Sequence, residues 1–391
     1  MDLAVAPVPS ATSSAYRVRR LDFGGIPAVE LRDGASGAYA VFAQRGATLL
    51  DWRVPHGGEL VELTDGYRNA AELANQNGVR NGIMAPFPNR IAGASYRFDG
   101  RDLDLRPGVP AADRLSYHGF LRELELVVAH ARETATGASV LFTGTIRPDA
   151  FAGYPFALKI NVRVGFTARS IALTVTATNI GDRAAPYAAG WHPYFRLGDA
   201  PIEDLELEVP ASYCILTDDR LLPLAGDAAY ARVDDAPMPD FRRMRRIGDA
   251  VIDACYGGAG GDGDRAEHAG SGRVAAIPGS ESLPAPLGGM RCASPALQDG
   301  LIRSRLRDPA TGRQLTVWQR GGLVHVFTGD TLARDPRRAV AIEPVEVMTD
   351  SFNRPDCARA IRLPAGATSS FSCGAEFDAS PSSQPLAAPS A

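Results

Sequence analysis

The stretch Phe156-Ala-Leu-Lys-Ile-Asn-Val-Arg-Val-Gly-Phe-Thr167, followed after a short turn by Ser170-Ile-Ala-Leu-Thr-Val-Thr-Ala-Thr-Asn179, decides the fold class. Ile160, Val162, Val164 and Phe166 alternate with Asn161, Arg163 and Gly165, and Ile171, Leu173, Val175 and Ala177 alternate with Thr174, Thr176 and Thr178. Period-two alternation puts one set on a buried face and the other in solvent, so the segment predicts a β-hairpin. The same pattern recurs outward along the chain, in Leu205-Glu-Leu-Glu-Val, Gln314-Leu-Thr-Val-Trp-Gln, Leu323-Val-His-Val-Phe-Thr and Ala339-Val-Ala-Ile-Glu, and upstream in Tyr39-Ala-Val-Phe-Ala and Ala47-Thr-Leu-Leu-Asp-Trp. Helical periodicity is scarce. Many short strands separated by Gly, Pro and Asp turns predict an all-β, antiparallel sandwich or barrel.

Composition bounds the rest. With 391 residues, 45% hydrophobic and 22% charged, the chain can bury a large core, and its net charge of −4 contains no single-sign block. That excludes an electrostatic footprint for nucleic acid or a polybasic membrane patch and favours a small neutral partner. No apolar run is long enough for a membrane span, and the first residues lack a secretory pattern, which predicts a cytoplasmic protein. Cys214, Cys255, Cys292, Cys357 and Cys373 are odd in number and form no CxxC pair, predicting free thiols and no zinc site. Lys159 is the only lysine and falls on the polar side of its strand. Phosphate-loop and kinase chemistries are thereby excluded, and a Schiff base is disfavoured. The expected organisation is one domain over 16–378 with a Gly-rich surface insertion at 257–300, between low-complexity ends at 1–15 and 379–391.

Several residues stand out chemically. His192, in Gly190-Trp-His-Pro-Tyr-Phe, is held extended by Pro193 and flanked by aromatics, while His118, in Ser116-Tyr-His-Gly-Phe, precedes a glycine that permits a tight turn. Each serves either as a proton carrier or as a hydrogen-bonded packing residue. Glu343 ends the apolar run Ala339-Val-Ala-Ile, where a carboxylate must be desolvated or paired, and Pro344 predicts that the strand ends or lies at an edge there. Its alternative is a strand-end salt bridge. Asp253 in Val251-Ile-Asp-Ala-Cys-Tyr has a turn or cap as its alternative, and Arg90, stiffened by the prolines of Ala85-Pro-Phe-Pro-Asn-Arg, offers a fork of donors.

Taken in order, Asn81-Gly-Ile-Met-Ala-Pro-Phe-Pro-Asn-Arg-Ile-Ala, Tyr117-His-Gly-Phe, Thr176-Ala-Thr-Asn-Ile, Gly190-Trp-His-Pro-Tyr-Phe-Arg-Leu, Ile342-Glu-Pro and Asp350-Ser-Phe-Asn resemble the motifs of the aldose 1-epimerase (galactose mutarotase) family. The resemblance spans roughly residues 20–375. It implies the large antiparallel β-sandwich of that family, the galactose mutarotase-like supersandwich, with a monosaccharide site on a concave sheet face and no cofactor or metal. It further implies His192 as general acid, Glu343 as general base, and Arg90, His118 and Asp253 as substrate-binding side chains. The expected reaction is interconversion of the α and β anomers of a free aldose by ring opening and closure. The expected working state is an ionised Glu343 and a His192 whose charge the carboxylate favours, standing on opposite sides of the sugar ring. Trp52, Trp191 and Tyr194 are candidate platforms for the sugar's C–H face, and Arg196 and Arg320 keep an anionic sugar open. Arg196, Asp330 and Val345-Glu-Val-Met depart from the family's more usual residues and leave the preferred sugar open. The alternatives are a non-catalytic sugar-binding protein on the same fold and a glycoside-cleaving enzyme using Glu343 and Asp253. A monomer or homodimer is expected.

Overall fold

In the computed structural model the residues described are 15–110, 114–258 and 300–379. The two ends at 1–14 and 380–391, most of the predicted insertion (259–299), and Cys292 within it lie outside them. The hairpin forms as the alternation dictates: Leu158–Thr167 pairs antiparallel with Ser170–Asn179, from Leu158↔Asn179 to Thr167↔Ser170. Leu158, Ile160, Val162 and Val164 are fully buried, and Lys159 between them is exposed.

Around this hairpin grows a nine-stranded antiparallel sheet. Val127–Glu133 and Ala138–Ile146 lie on one side of it, and Thr368–Ala379, Arg313–Arg320, Leu301–Arg307, Glu206–Glu208 and Arg245–Arg246 on the other. A second, eight-stranded sheet runs Tyr230–Arg232, Tyr213–Ile215, Asp253–Gly257, Leu323–Phe327, Val340–Val345, Gly190–Trp191, Ile83–Met84, with Tyr194–Phe195 also pairing to Val340–Val345. Tyr16–Phe23 through Glu59–Glu62 form a five-stranded meander. One apolar cluster joins the inner faces of all three, from Phe42 and Trp52 through Val162 and Phe371 to Val326 and Ile342. The fold is therefore an all-β antiparallel sandwich. Among the described residues the one α-helix is Ala70–Asn75, capped by Asn69, whose side chain accepts from the Glu72 backbone N–H.

One local expectation fails. The strand bearing Glu343 neither ends at Pro344 nor lies at an edge: Val340–Val345 runs through the proline and is paired on both flanks. In the register of Gly190↔Val345 and Tyr194↔Ala341, Pro344 faces Trp191, the last residue before the pairing lapses across His192-Pro193 and resumes at Tyr194–Phe195. A missing N–H costs little where the facing ladder is already broken.

Candidate functional site

The break in the ladder creates the site. Gly190 pairs with Val345 and Tyr194 with Ala341, so both short pieces share one register against Val340–Val345, and continuing it across the gap sets His192 opposite Glu343. On the other flank Glu343 pairs directly with His325, and His325 with Cys255. Paired residues on adjacent strands point to the same face. His192, Glu343, His325 and Cys255 thus form a row across four neighbouring chain segments. Asp253 lies two residues from Cys255 along its strand, on the same face.

The contacts follow from that row. His192 Nε2 lies 3.3 Å from Glu343 Oε1. His325 Nε2 lies 2.7 Å from Asp253 Oδ1, and Arg90 Nη2 lies 3.5 Å from Asp253 Oδ2. The ring of His118 meets that of His192 edge-on at 5.2 Å, its Nδ1 2.9 Å from Met84 Sδ, and Tyr194 stacks on the other side of His192 at 5.0 Å. Among the described residues, His192 Nδ1 and Glu343 Oε2 are buried without a hydrogen-bond partner.

Electrostatics separate these groups. Glu343 is 1% exposed and His192 5%. At 3.3 Å an ion pair is worth about 5 kcal/mol at an effective dielectric of 20, while burying two ions costs several kcal/mol each, so desolvation wins. Burial pushes the Glu343 carboxyl up to about 8, against the pull of His325 and Arg90. Burial, with the charge of His325 behind it, pushes His192 down to about 3. Burial thus works against the expectation that the carboxylate keeps His192 charged: it favours the neutral form of both groups. His325 goes the other way. Burial opposes its charge, but Glu343 and the hydrogen-bonded Asp253 raise it well above the ordinary histidine value. Burial alone would raise Asp253; the His325 hydrogen bond, His325 charge and Arg90 hold it down to about 2. Burial and the neighbouring His192 keep His118 neutral, well below its usual range.

Local sequence explains why the groups stay put. Asn81, buried and at φ 56°, accepts from the Thr64 hydroxyl and the Tyr194 backbone N–H and donates to Leu49 O. Its backbone carbonyl accepts from Trp191 Nε1, and its backbone N–H donates to His192 O at 2.9 Å. His192 N–H in turn donates to Gly82 O. His118 sits at φ 57° beside the Arg90–Ala92 strand, which pairs with Leu115–Tyr117, and its N–H donates to Asn89 O. The next residue must be glycine: Gly119 has φ 62°, and a Cβ there would lie 2.2 Å from Ala85 O.

Arg90, His118, His192, Asp253 and Glu343 are thus brought together. Other expectations do not hold. Trp52, Trp191 and Tyr194 are at most 1% exposed, so they build the core and, for Tyr194, brace His192; they offer no face to a ligand. Arg196 is buried and spent on Glu62, Asp199 and Gly198 O, and Arg320 is the exposed last residue of the Arg313–Arg320 strand of the nine-stranded sheet. The residue that sequence reasoning missed is His325. It interrupts Leu323-Val-His-Val-Phe as Glu343 interrupts its own strand, and the same criterion would have found it.

The family model described as aldose 1-epimerase matches residues 27–284. The chain belongs to the aldose 1-epimerase family. Arg90, His118, His192 and Asp253 lie within that span; His325 and Glu343 lie beyond it and reach the site by strand pairing. This family member is 27% identical over 175 residues to the uncharacterized protein YihR of Escherichia coli K12 and 28% identical over 115 residues to YphB of the same organism. The matched segments cover 44% and 29% of this chain, and span 53% and 36% of those relatives. Among solved structures it resembles galactose 1-epimerase from Lactobacillus acidophilus (TM-score 0.68, 15% identity, 94% of this chain and 99% of that one). It also resembles a GalM/aldose epimerase homologue from C. elegans (TM-score 0.66, 18% identity, 88% and 96%). At these identities the likeness concerns the fold. Among the described residues no helix is long and apolar enough to cross a membrane.

Proposed function

We propose that this protein is a mutarotase, interconverting the α and β anomers of a free aldose at the His192–Glu343 pair. The observation that carries the reading is a buried imidazole and carboxyl 3.3 Å apart, each with a further unpartnered polar atom.

Opening a pyranose requires removal of the proton from the anomeric hydroxyl and delivery of a proton to the ring oxygen. Both oxygens are bonded to the same carbon, so an acid and a base in mutual contact can reach one each without standing on opposite sides of the ring. The reaction needs one proton on the pair, no more and no fewer. With that proton moved across the 3.3 Å contact onto His192, Glu343 accepts from the anomeric hydroxyl as the imidazolium protonates the ring oxygen and the C–O bond breaks. Rotation about C1–C2 turns the other aldehyde face to the new hydroxyl. Closure then runs with the roles exchanged: His192 takes the proton from that hydroxyl, Glu343 returns one to the aldehyde oxygen, and the pair ends as it began. Arg90, Asp253 and His118 hold the ring by its outer hydroxyls; Asp253 accepts, and the Arg90 guanidinium donates.

Polarimetry or saturation-transfer NMR of freshly dissolved α-glucose and α-galactose tests the reading. Wild type should speed anomer exchange, and Glu343→Gln and His192→Asn should each reduce kcat by about 10²- to 10⁴-fold. Full activity in both variants would reject it.

A further inference from the structure

His325 takes no part in the proton transfers above, yet it is buried in the centre of the row. Its strand partner on one side is Glu343; on the other it is Cys255, with Asp253 at 2.7 Å from Nε2. We propose that His325 is a positioning residue: braced against Asp253, it presents a positive charge to Glu343 and thereby sends the shared proton to His192, the group that must deliver it. The proposal rests on the mutarotase reading and adds to it the residue that sets the direction of proton flow.

The geometry makes the bias directional. Directly paired residues have Cβ atoms about 5 Å apart, while His192 stands one strand further away, so a charge at His325 stabilises the Glu343 carboxylate more than it destabilises a His192 imidazolium. The other charged and titratable groups at this centre act in the same frame: on the His192 side Tyr194 stacks on the imidazole, with the Arg80 guanidinium over the Tyr194 ring. Asp253, across the strand pairing, keeps the proton on His325 and is itself tied to Arg90 from the Arg90–Ala92 strand. Cys255 is the strand partner of His325 on the side away from Glu343. His118, behind His192, is neutral and adds no competing charge. One consequence is that Asp253 has two duties: the oxygen toward Arg90 lies near the more open end of the site, and the other anchors His325. A sugar hydroxyl gripped by Asp253 would therefore be sensed one residue away from the acid–base pair.

The test is His325→Gln, which keeps size and a donor but removes the cation. An opposite charge at this range moves a carboxyl by about 1 to 3 pH units. The variant should lower kcat at pH 7 about tenfold or more with KM little changed, and move the basic limb of the kcat profile upward by about one pH unit or more. A merely packing histidine would lower kcat equally at every pH. ¹⁵N NMR of histidine-labelled protein provides a readout apart from turnover: one imidazolium present at pH 8 in wild type should vanish in His325→Gln. An unmoved limb, or a neutral His325 at pH 7, overturns the proposal. If wild type shows no anomer exchange at all, the mutarotase reading falls, and the NMR result still decides the charge on His325.

Discussion

The hairpin Leu158–Asn179 and the row His192–Glu343–His325 are both built from antiparallel strands, but they treat the inward face oppositely. In the hairpin the inward positions from Leu158 to Phe166 and from Ile171 to Ala177 are apolar and the polar side chains between them point out, so local pattern, burial and register agree. In the row, adjacent segments each place an ionisable group inward at the same level, and the cost of burying them is met by pairing them with one another. A stretch that obeys its pattern contributes stability; one that breaks it in register with its neighbours gives up stability for reactivity.

That contrast can be broken by substitutions of opposite sign. The largest effect on stability is expected in the hairpin. Ile160→Ala, at a fully buried position, should cost about 2–5 kcal/mol in denaturant unfolding and leave kcat of the folded protein unchanged. A loss of kcat without loss of stability would show that the two regions are not separable. A smaller effect of opposite sign is expected at Glu343. Because its folded pKa is raised to about 8 from an ordinary 4.5, the native state keeps a proton on Glu343 that the unfolded chain has lost, and the contribution of this residue to stability falls as pH rises between those values. Glu343→Gln removes that dependence, so its Tm should gain on wild type steadily from pH 4.5 to pH 8. A constant difference would contradict the buried protonated carboxyl. The smallest effect belongs to Lys159, exposed on the polar side of the hairpin: Lys159→Ala should change stability by less than about 0.5 kcal/mol and activity not at all.

Legibility followed the same division. The hairpin, the alternating strands and the all-β antiparallel architecture were readable because period-two alternation reports directly which face is buried. Glu343 and His192 stood out because they violate their surroundings. The row itself was not readable, since it depends on register across segments some 150 residues apart along the chain, which no local pattern encodes. Pro344 misled for that reason: a proline marks an edge only when the facing strand is continuous, and here the facing strand breaks at His192-Pro193. The aromatic residues misled differently. Trp52, Trp191 and Tyr194 have the composition of a sugar platform, but composition does not distinguish a ring that lines a cleft from one sealed beneath it. The charge state of the pair was also out of reach, because it turns on burial, and burial outweighs the attraction that proximity suggests. His325 is legible in principle, as a lone ionisable residue among valines.

The central claim is that His192 and Glu343 work as one unit around a single proton. The most direct measurement compares kcat for anomer exchange in Glu343→Gln, His192→Asn and the double variant at pH 7. Groups that act only together lose their joint contribution once either is removed. The double variant should therefore be no slower than the worse single variant, within about a factor of three. Losses that multiply, so that the double variant falls by the product of the two single effects, would show independent contributions and contradict the shared-proton mechanism.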